Sequence, residues 1–266
     1  MGMAADTAFS DTGGKNPVII LIHGLGLDRQ MWRWQVDALA TRYRVVTYDL
    51  LGHCETPRAI VPHSLKVFSA QLLDLMDKLE IDNAAVCGFS LGGMIARRFA
   101  MDHPDRLWAL GVLHSAHRRD PAAQEAIRKR ADLTAIEGPA ATVEAALARW
   151  LSDEFREKHP NTTNDIRRTV QSHPKEIYSE NYRVLVDGVE EIIAPHPHIL
   201  CPTLVMTGDE DYGNSPEMTR AIAAEIPGAR TVILEGLRHL AMIEDPARFN
   251  TALLSFLNAV RDGRAS

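Results

Sequence analysis

Short, almost wholly apolar runs separated by amphipathic stretches constrain this chain more than any other feature. The first run, VIILI at residues 18–22, is bounded by Pro17 and by His23-Gly24. Continuous apolar character without polar alternation describes a strand covered on both faces, as in a parallel sheet. RQMWRWQVDALA follows with apolar residues at helical spacing. YRVVTYD then reads as a strand ending at Asp49, followed by a polar loop over residues 52–62 and a helix over residues 65–79 with Ser64 at its N-cap. NAAVCGF, LGGMIARRFAMD and RLWALGVLHS continue as strand, helix and strand. Parallel strands joined by helices require right-handed crossovers and place helices on both faces of the sheet.

The rhythm stops at residue 118. From there to about residue 196 only charged amphipathic helical stretches occur, among them PAAQEAIRKRADLTAI, TVEAALARWL and YSENYRVLVDG. It resumes with CPTLVMTG, a helix opening near Pro216, the strand ARTVIL and a final helix from about residue 246 to 260. The expected fold class is α/β, a mostly parallel sheet with helices on both faces. Its core comprises residues 1–117 and 197–266, and a helical insertion spans residues 118–196.

At 266 residues and 45% hydrophobic, the chain has the material for a large core. A net charge of −6, from 29 basic and 35 acidic residues, disfavours nucleic acid as a partner. Cys54, Cys87 and Cys201 form neither a disulfide framework nor a zinc-ligand spacing, which fits a reducing compartment. Residues 1–14 lack the pattern of a leader, and no apolar run approaches the ~18 residues of a membrane span. Cytoplasm is the expected location. PHPHI, residues 195–199, reads as a stiff linker rather than a metal site.

Chemistry concentrates at strand ends. GFSLGG, residues 88–93, matches G-x-S-x-G between a strand and a helix, where a sharp turn would expose the Ser90 hydroxyl near the free N–H groups of the helix start. These six residues alone fit a glycine turn equally well. A hydroxyl is a poor nucleophile without a base, so the reading depends on distant residues. TGDED, after the strand at residues 203–206, supplies Asp209 and Asp211, and GLRHL, after the last strand, supplies His239. Both loops fall at the same sheet end as Ser90. HGLG, residues 23–26, places a Leu25 N–H where it could pair with the Leu91 N–H as an oxyanion hole.

Together HGLG, YDLLGH, GFSLGG, GDED and GLRH resemble the α/β-hydrolase superfamily over essentially the whole length. The resemblance implies Ser90 as nucleophile, His239 as base and Asp211 as acid, in the G-x-x-D placement counted from Gly208, with Asp209 as its rival. Leu25 and Leu91 would supply the oxyanion N–H groups, and neither a cofactor nor a metal is implied. LGLDRQMW, RWLSDEFREKHP and IPGARTVILEGLRHL further resemble 3-oxoadipate enol-lactonases. Two departures stand out: residues 52–56 read GHCET where the family has G-H-G-x-S, and the N-terminus is short, leaving TAFSDTGG to form at most one edge strand.

Serine at the elbow disfavours epoxide hydrolases and haloalkane dehalogenases, which resemble this fold but carry aspartate there. The activity implied is hydrolysis of a small carboxylic ester or lactone through an acyl-enzyme. The alternatives are a C–C bond hydrolase acting on vinylogous diketones and a non-catalytic ligand-binding protein on the same fold. The insertion is expected to act as a cap, with Phe89, Trp150 and Tyr182 as pocket candidates and Arg29 as a candidate for meeting a substrate carboxylate. Core packing for the three aromatic residues, and a solvated helix end for Arg29, are the plain alternatives. The expected partner is a small-molecule substrate, with no nucleic acid and no membrane; the oligomeric state is left open, a homodimer among the options.

Overall fold

Burial follows the apolar runs. The computed structural model describes residues 6–264, so the opening five residues of the leader reading lie outside it. The strands are β1 (Phe9–Asp11), β2 (Val18–Ile22), β3 (Arg44–Tyr48), β4 (Ala84–Phe89), β5 (Leu107–Leu113), β6 (Thr203–Gly208) and β7 (Arg230–Leu234). They form a seven-stranded sheet in the order β1-β3-β2-β4-β5-β6-β7. Every neighbouring pair is parallel except β1 with β3, where Phe9 faces Tyr48 and Asp11 faces Val46. The short N-terminus thus forms one antiparallel edge strand. Central β4 and β6 are buried at every position, as runs covered on both faces must be.

The helices of the core are α1 (Arg33–Leu39), α2 (Leu65–Lys78) and α3 (Leu91–Asp102) in the first part, then α9 (Pro216–Ala224), α10 (Ala241–Glu244) and α11 (Pro246–Arg261) after the insertion. Ser64 caps α2 by accepting from the Val67 N–H. The stretch beginning at Arg29 is not one helix: Asp28 accepts from the Gln30 N–H, setting a 3-10 turn over Arg29–Trp32 before α1 begins.

Between β5 and β6 run α4 (Pro121–Glu137), α5 (Ala140–Trp150), α6 (Asp153–Lys158), α7 (Pro160–Gln171) and α8 (Lys175–Asp187). The sequence patterns mark α4, α5 and α8. The other two are harder to read: α6 buries no residue and α7 buries only Thr163, Ile166 and Val170, too few to impose a helical period. Ile127, Val143, Leu147, Val170 and Tyr178 join the same hydrophobic cluster as the sheet, so the insertion is packed onto the core. No helix among the described residues is long and apolar enough to cross a membrane.

The strand-to-helix turn after β4 depends on backbone passing backbone. A Cβ on Gly88 would stand 1.9 Å from the Gly92 carbonyl oxygen, and one on Gly92 would stand 2.4 Å from the Ile22 oxygen. No rotamer relieves a clash with a main chain, and both positions lie in the middle of the sheet-to-helix contact. Gly88→Ala is expected to destabilise the fold by at least about 3 kcal/mol, or roughly 10 °C in Tm, or to prevent soluble expression. A thermal melt matching the wild type would refute this account of the turn.

Two loops at the carboxyl ends of the strands are held by a reciprocal histidine clamp. His23 Nε2 accepts from the Leu50 N–H at 2.9 Å while its Nδ1 meets the Gly24 oxygen at 2.8 Å; His53 Nε2 accepts from the Gly26 N–H at 3.1 Å. His173 extends the row, its ring centroid 5.0 Å from that of His53. This clamp shapes the GHCET loop, in which Cys54 takes a positive φ of 44°.

Both clamp rings must be neutral to accept an N–H. Burial drives His23 down to about 3 and His53 well below its ordinary value, and it also lowers His114 and His173. Because these folded-state values are depressed, their contribution to stability is present above about pH 6.5 and is lost as pH falls toward the folded values. Unfolding at pH 5 should therefore take up close to two protons on His23 and His53, with His114 and His173 adding in the same direction, and stability should fall between pH 6.5 and 5, above the ordinary carboxylate range. A melting temperature that stays flat across that window would contradict it.

Candidate active site

Ser90 sits between β4 and α3 with φ 54° and ψ −113°, a strained conformation for a residue with a side chain. It occupies the N-cap position of α3, yet its hydroxyl makes no cap. The contrast is with Ser64, Ser152 and Ser215, whose hydroxyls each accept from a helix N–H. The turn is fixed instead by the backbone, the Ser90 N–H donating to Leu113 and the Ser115 hydroxyl donating to the Ser90 carbonyl, each at 2.9 Å. The Ser90 side chain is thereby left to a cavity.

That cavity, of about 310 Å³, lies between the carboxyl ends of the strands and the helical insertion, and Ser90, Asp211 and His239 all line it. A larger depression around Pro17, Arg44 and Trp108 lies at the opposite sheet end and holds no nucleophile beside a base.

Asp211 is held by five groups. The Gly213 and Asn214 N–H groups donate to Oδ1 at 3.1 and 3.0 Å, and Oδ2 faces His239 Nδ1 at 2.7 Å, His114 Nδ1 at 3.0 Å and the Thr207 hydroxyl at 3.3 Å. Burial works to raise the Asp211 carboxyl. The charge and hydrogen bonds of His239 and His114 outweigh that and hold it well below the ordinary range. With Nδ1 committed to Asp211, His239 keeps Nε2 as its free acceptor, the form a general base needs. Asp209, the rival acid, is occupied elsewhere: its Oδ1 accepts from the Gly236 N–H at 2.6 Å.

His114 is the residue the sequence did not flag. It follows β5 with φ 48°, is fully buried, and its Nε2 has no hydrogen-bond partner. Burial lowers its basicity, so it is neutral and can donate Nδ1–H to the same carboxylate oxygen that orients His239. Among the described residues, His114, Asp211 and His239 are also the one group compact enough to hold an ion, their ligand atoms lying within 4.8 Å of one another. Both Nδ1 atoms are already directed at Asp211 Oδ2, an arrangement suited to orienting a base. The histidines of residues 195–199 form no such group.

Leu25 lines the cavity in the turn where the Gly26 N–H is taken by His53 and the Leu27 N–H by the Gly24 carbonyl. Its own N–H is left without a partner among the described residues. Leu91 opens α3, so its N–H has no carbonyl one turn earlier to bond.

The loop carrying His239 is tied to the insertion. The Leu240 N–H donates to the Trp150 carbonyl at 3.0 Å, and Arg238 Nη1 donates to the Ala148 and Leu151 carbonyls at 2.9 and 3.0 Å. Glu244 accepts from the Arg238 and Ser152 N–H groups. Trp150 thus stands 6.2 Å from the His239 ring, centroid to centroid. Phe89 is buried yet lines the cavity, 4.7 Å from the same ring, and Tyr182 lines it as well. Arg29 is the correction. Its guanidinium is bound to Asp49 and, at 2.5 Å, to Glu55, outside the cavity, because these two carboxylates flank the end of the 3-10 turn that carries it. The arginines that do line the cavity are Arg119, Arg130 and Arg149, all from the insertion. Their only sequence signal is the density of basic residues in HRRD, RKR and ARW, which does not distinguish an inner from an outer helix face.

Residues 19–252 match the alpha/beta hydrolase family. The (E)-2-((N-methylformamido)methylene)succinate hydrolase of Acinetobacter baylyi is 25% identical over 244 residues, covering 92% of this chain and 91% of that one. The 3-oxoadipate enol-lactonase 1 of the same bacterium is 29% identical over 246 residues, covering 92% and 90%. Among solved structures, the enol-lactonase from Burkholderia xenovorans LB400 superposes with a TM-score of 0.88 at 30% identity, covering 97% of this chain and 99% of that one. With its sheet order, its serine turn and a family match across most of its length, the chain belongs to the alpha/beta hydrolase family.

Proposed function

We propose that the protein hydrolyses a small carboxylic ester or lactone through an acyl-enzyme on Ser90. The observation that carries this reading is the 2.7 Å contact between Asp211 Oδ2 and His239 Nδ1 on the cavity that Ser90 lines from its strained turn. His239 Nε2 takes the proton as Ser90 Oγ attacks the carbonyl carbon, and the Leu25 and Leu91 N–H groups receive the developing oxyanion. Asp211 keeps the imidazole in the required tautomer and stabilises its cation. Collapse of the tetrahedral intermediate breaks the C–O bond, and the leaving oxygen takes the proton back from His239. Water, activated by the same imidazole, then releases the acid and restores Ser90. No cofactor enters these steps. The insertion forms the roof as a cap, with Trp150 and Tyr182 in its wall. A cavity of about 310 Å³ suits a small substrate, and the enol-lactonase names of two similar proteins support the bond class.

A fluorophosphonate is expected to add once, at Ser90, as read by intact mass. Absence of the adduct on folded protein would favour a binding protein on this fold. Ser90→Ala should lower p-nitrophenyl acetate turnover by roughly 10³-fold or more with little change in Tm. Asp211→Asn should cost about 10³- to 10⁴-fold by presenting the wrong hydrogen-bonding pattern to Nδ1, whereas Asp209→Asn should stay within about threefold of wild type. In parallel assays with an enol-lactone, p-nitrophenyl acetate and a meta-cleavage dienoate, preference for the dienoate would replace the ester reading with C–C bond hydrolysis.

A further inference from the structure

Arg119, Arg130 and Arg149 converge on the cavity from the loop before α4, from α4 itself and from the end of α5. On the outer surface of the same insertion Arg118 pairs with Glu190, Arg167 with Glu144, Arg168 with Asp165 and Arg183 with Asp132, while Arg128 is exposed to water, which screens its charge. The inner three differ. Among the described residues none meets a carboxylate. Arg119 has only a 3.5 Å approach to Gln124, Arg149 donates to the Ala145 carbonyl of its own helix, and Arg130 Nε is buried with no partner at all. The one acid lining the cavity is Asp211, which is committed to His239 and His114. Three guanidinium groups therefore share a confined space with no compensating anion, on a protein whose net charge is −6. Burial, reinforced by the charge of Arg130, pushes Arg119 down to about 10 and also lowers Arg149.

Partly buried like charges without counterions are costly unless a ligand neutralises them. Planar guanidinium forks are the side chains best matched to carboxylates. The charge count bears on what kind of anion fits. A single carboxylate would leave two of the three positive charges unbalanced; separate carboxylates on one carbon skeleton would offer each guanidinium fork a partner.

We infer that the substrate carries at least two carboxylates besides its scissile ester or lactone group, held by Arg119, Arg130 and Arg149 under the insertion. The inference rests on the hydrolase reading above and names its substrate class.

The test is calorimetric titration of Ser90→Ala protein with butyrate, glutarate, tricarballylate and inorganic phosphate. Each added carboxylate is expected to tighten Kd at least tenfold, with affinity falling as salt is raised. Arg130→Met and Arg149→Gln, each checked by thermal melt, should weaken tricarballylate at least tenfold while leaving butyrate within about threefold. A flat series across the three acids, phosphate binding as tightly as tricarballylate, or arginine variants that fold and bind tricarballylate like the parent would overturn the inference. Fluorophosphonate labelling of Ser90 in the wild type separates the two readings. Labelling with a flat acid series removes the polycarboxylate substrate and keeps the hydrolase, whereas absence of labelling removes the hydrolase whatever the series shows.

Discussion

The close approach of backbone to backbone at the end of β4 is the constraint from which the site follows. Gly88 lies against the Gly92 carbonyl and Gly92 against the Ile22 carbonyl, so β4 can turn into α3 without an intervening loop. That turn forces Ser90 to a positive φ and keeps its hydroxyl from capping the helix that follows. The same placement sets the Leu91 N–H at the helix start. Because β2, β4, β5, β6 and β7 run parallel, the HGLG turn, His114, Asp211 and His239 all emerge at that end of the sheet.

Position at one sheet end is not yet a site; hydrogen bonds to buried groups provide the precision. Asp211 is fixed on one oxygen by two backbone N–H groups and on the other by two imidazoles and a hydroxyl, leaving it little freedom to turn away from His239. The histidine clamp does the same for the HGLG turn. The Gly26 N–H on His53 and the Leu27 N–H on Gly24 fix the backbone on either side of Leu25. The arrangement relies on neutral rings in an apolar setting, so the rigidity of the site and its acid sensitivity have one cause.

The insertion is mechanically part of this machinery. Trp150 and Leu240 are joined through the main chain, and Arg238, next to His239, is anchored to two carbonyls at the end of α5. Arg149 belongs to the same end of that helix. The segment that brings positive charge to the cavity is thus bonded to the loop that carries the candidate base.

The sequence by itself determined the order of the main strands and helices of the core, and it suggested the interruption at residue 118 and the roles of Ser90 and His239. These depend on local periodicity and on short motifs at strand ends, which are properties of neighbouring residues. It left Asp209 and Asp211 as rivals two residues apart; only the fold shows that the Asp209 carboxylate is taken by the Gly236 N–H and that Asp211 meets the ring. It offered Arg29 as a pocket candidate by nearness along the chain, with a solvated helix end as the alternative; the fold pairs it with Asp49 and Glu55, outside the cavity. His114 and the cavity-facing trio Arg119, Arg130 and Arg149 had no motif to mark them. What such residues do depends on which helix face turns inward and on which carboxylates, far away in sequence, come within reach, and tertiary packing alone decides both.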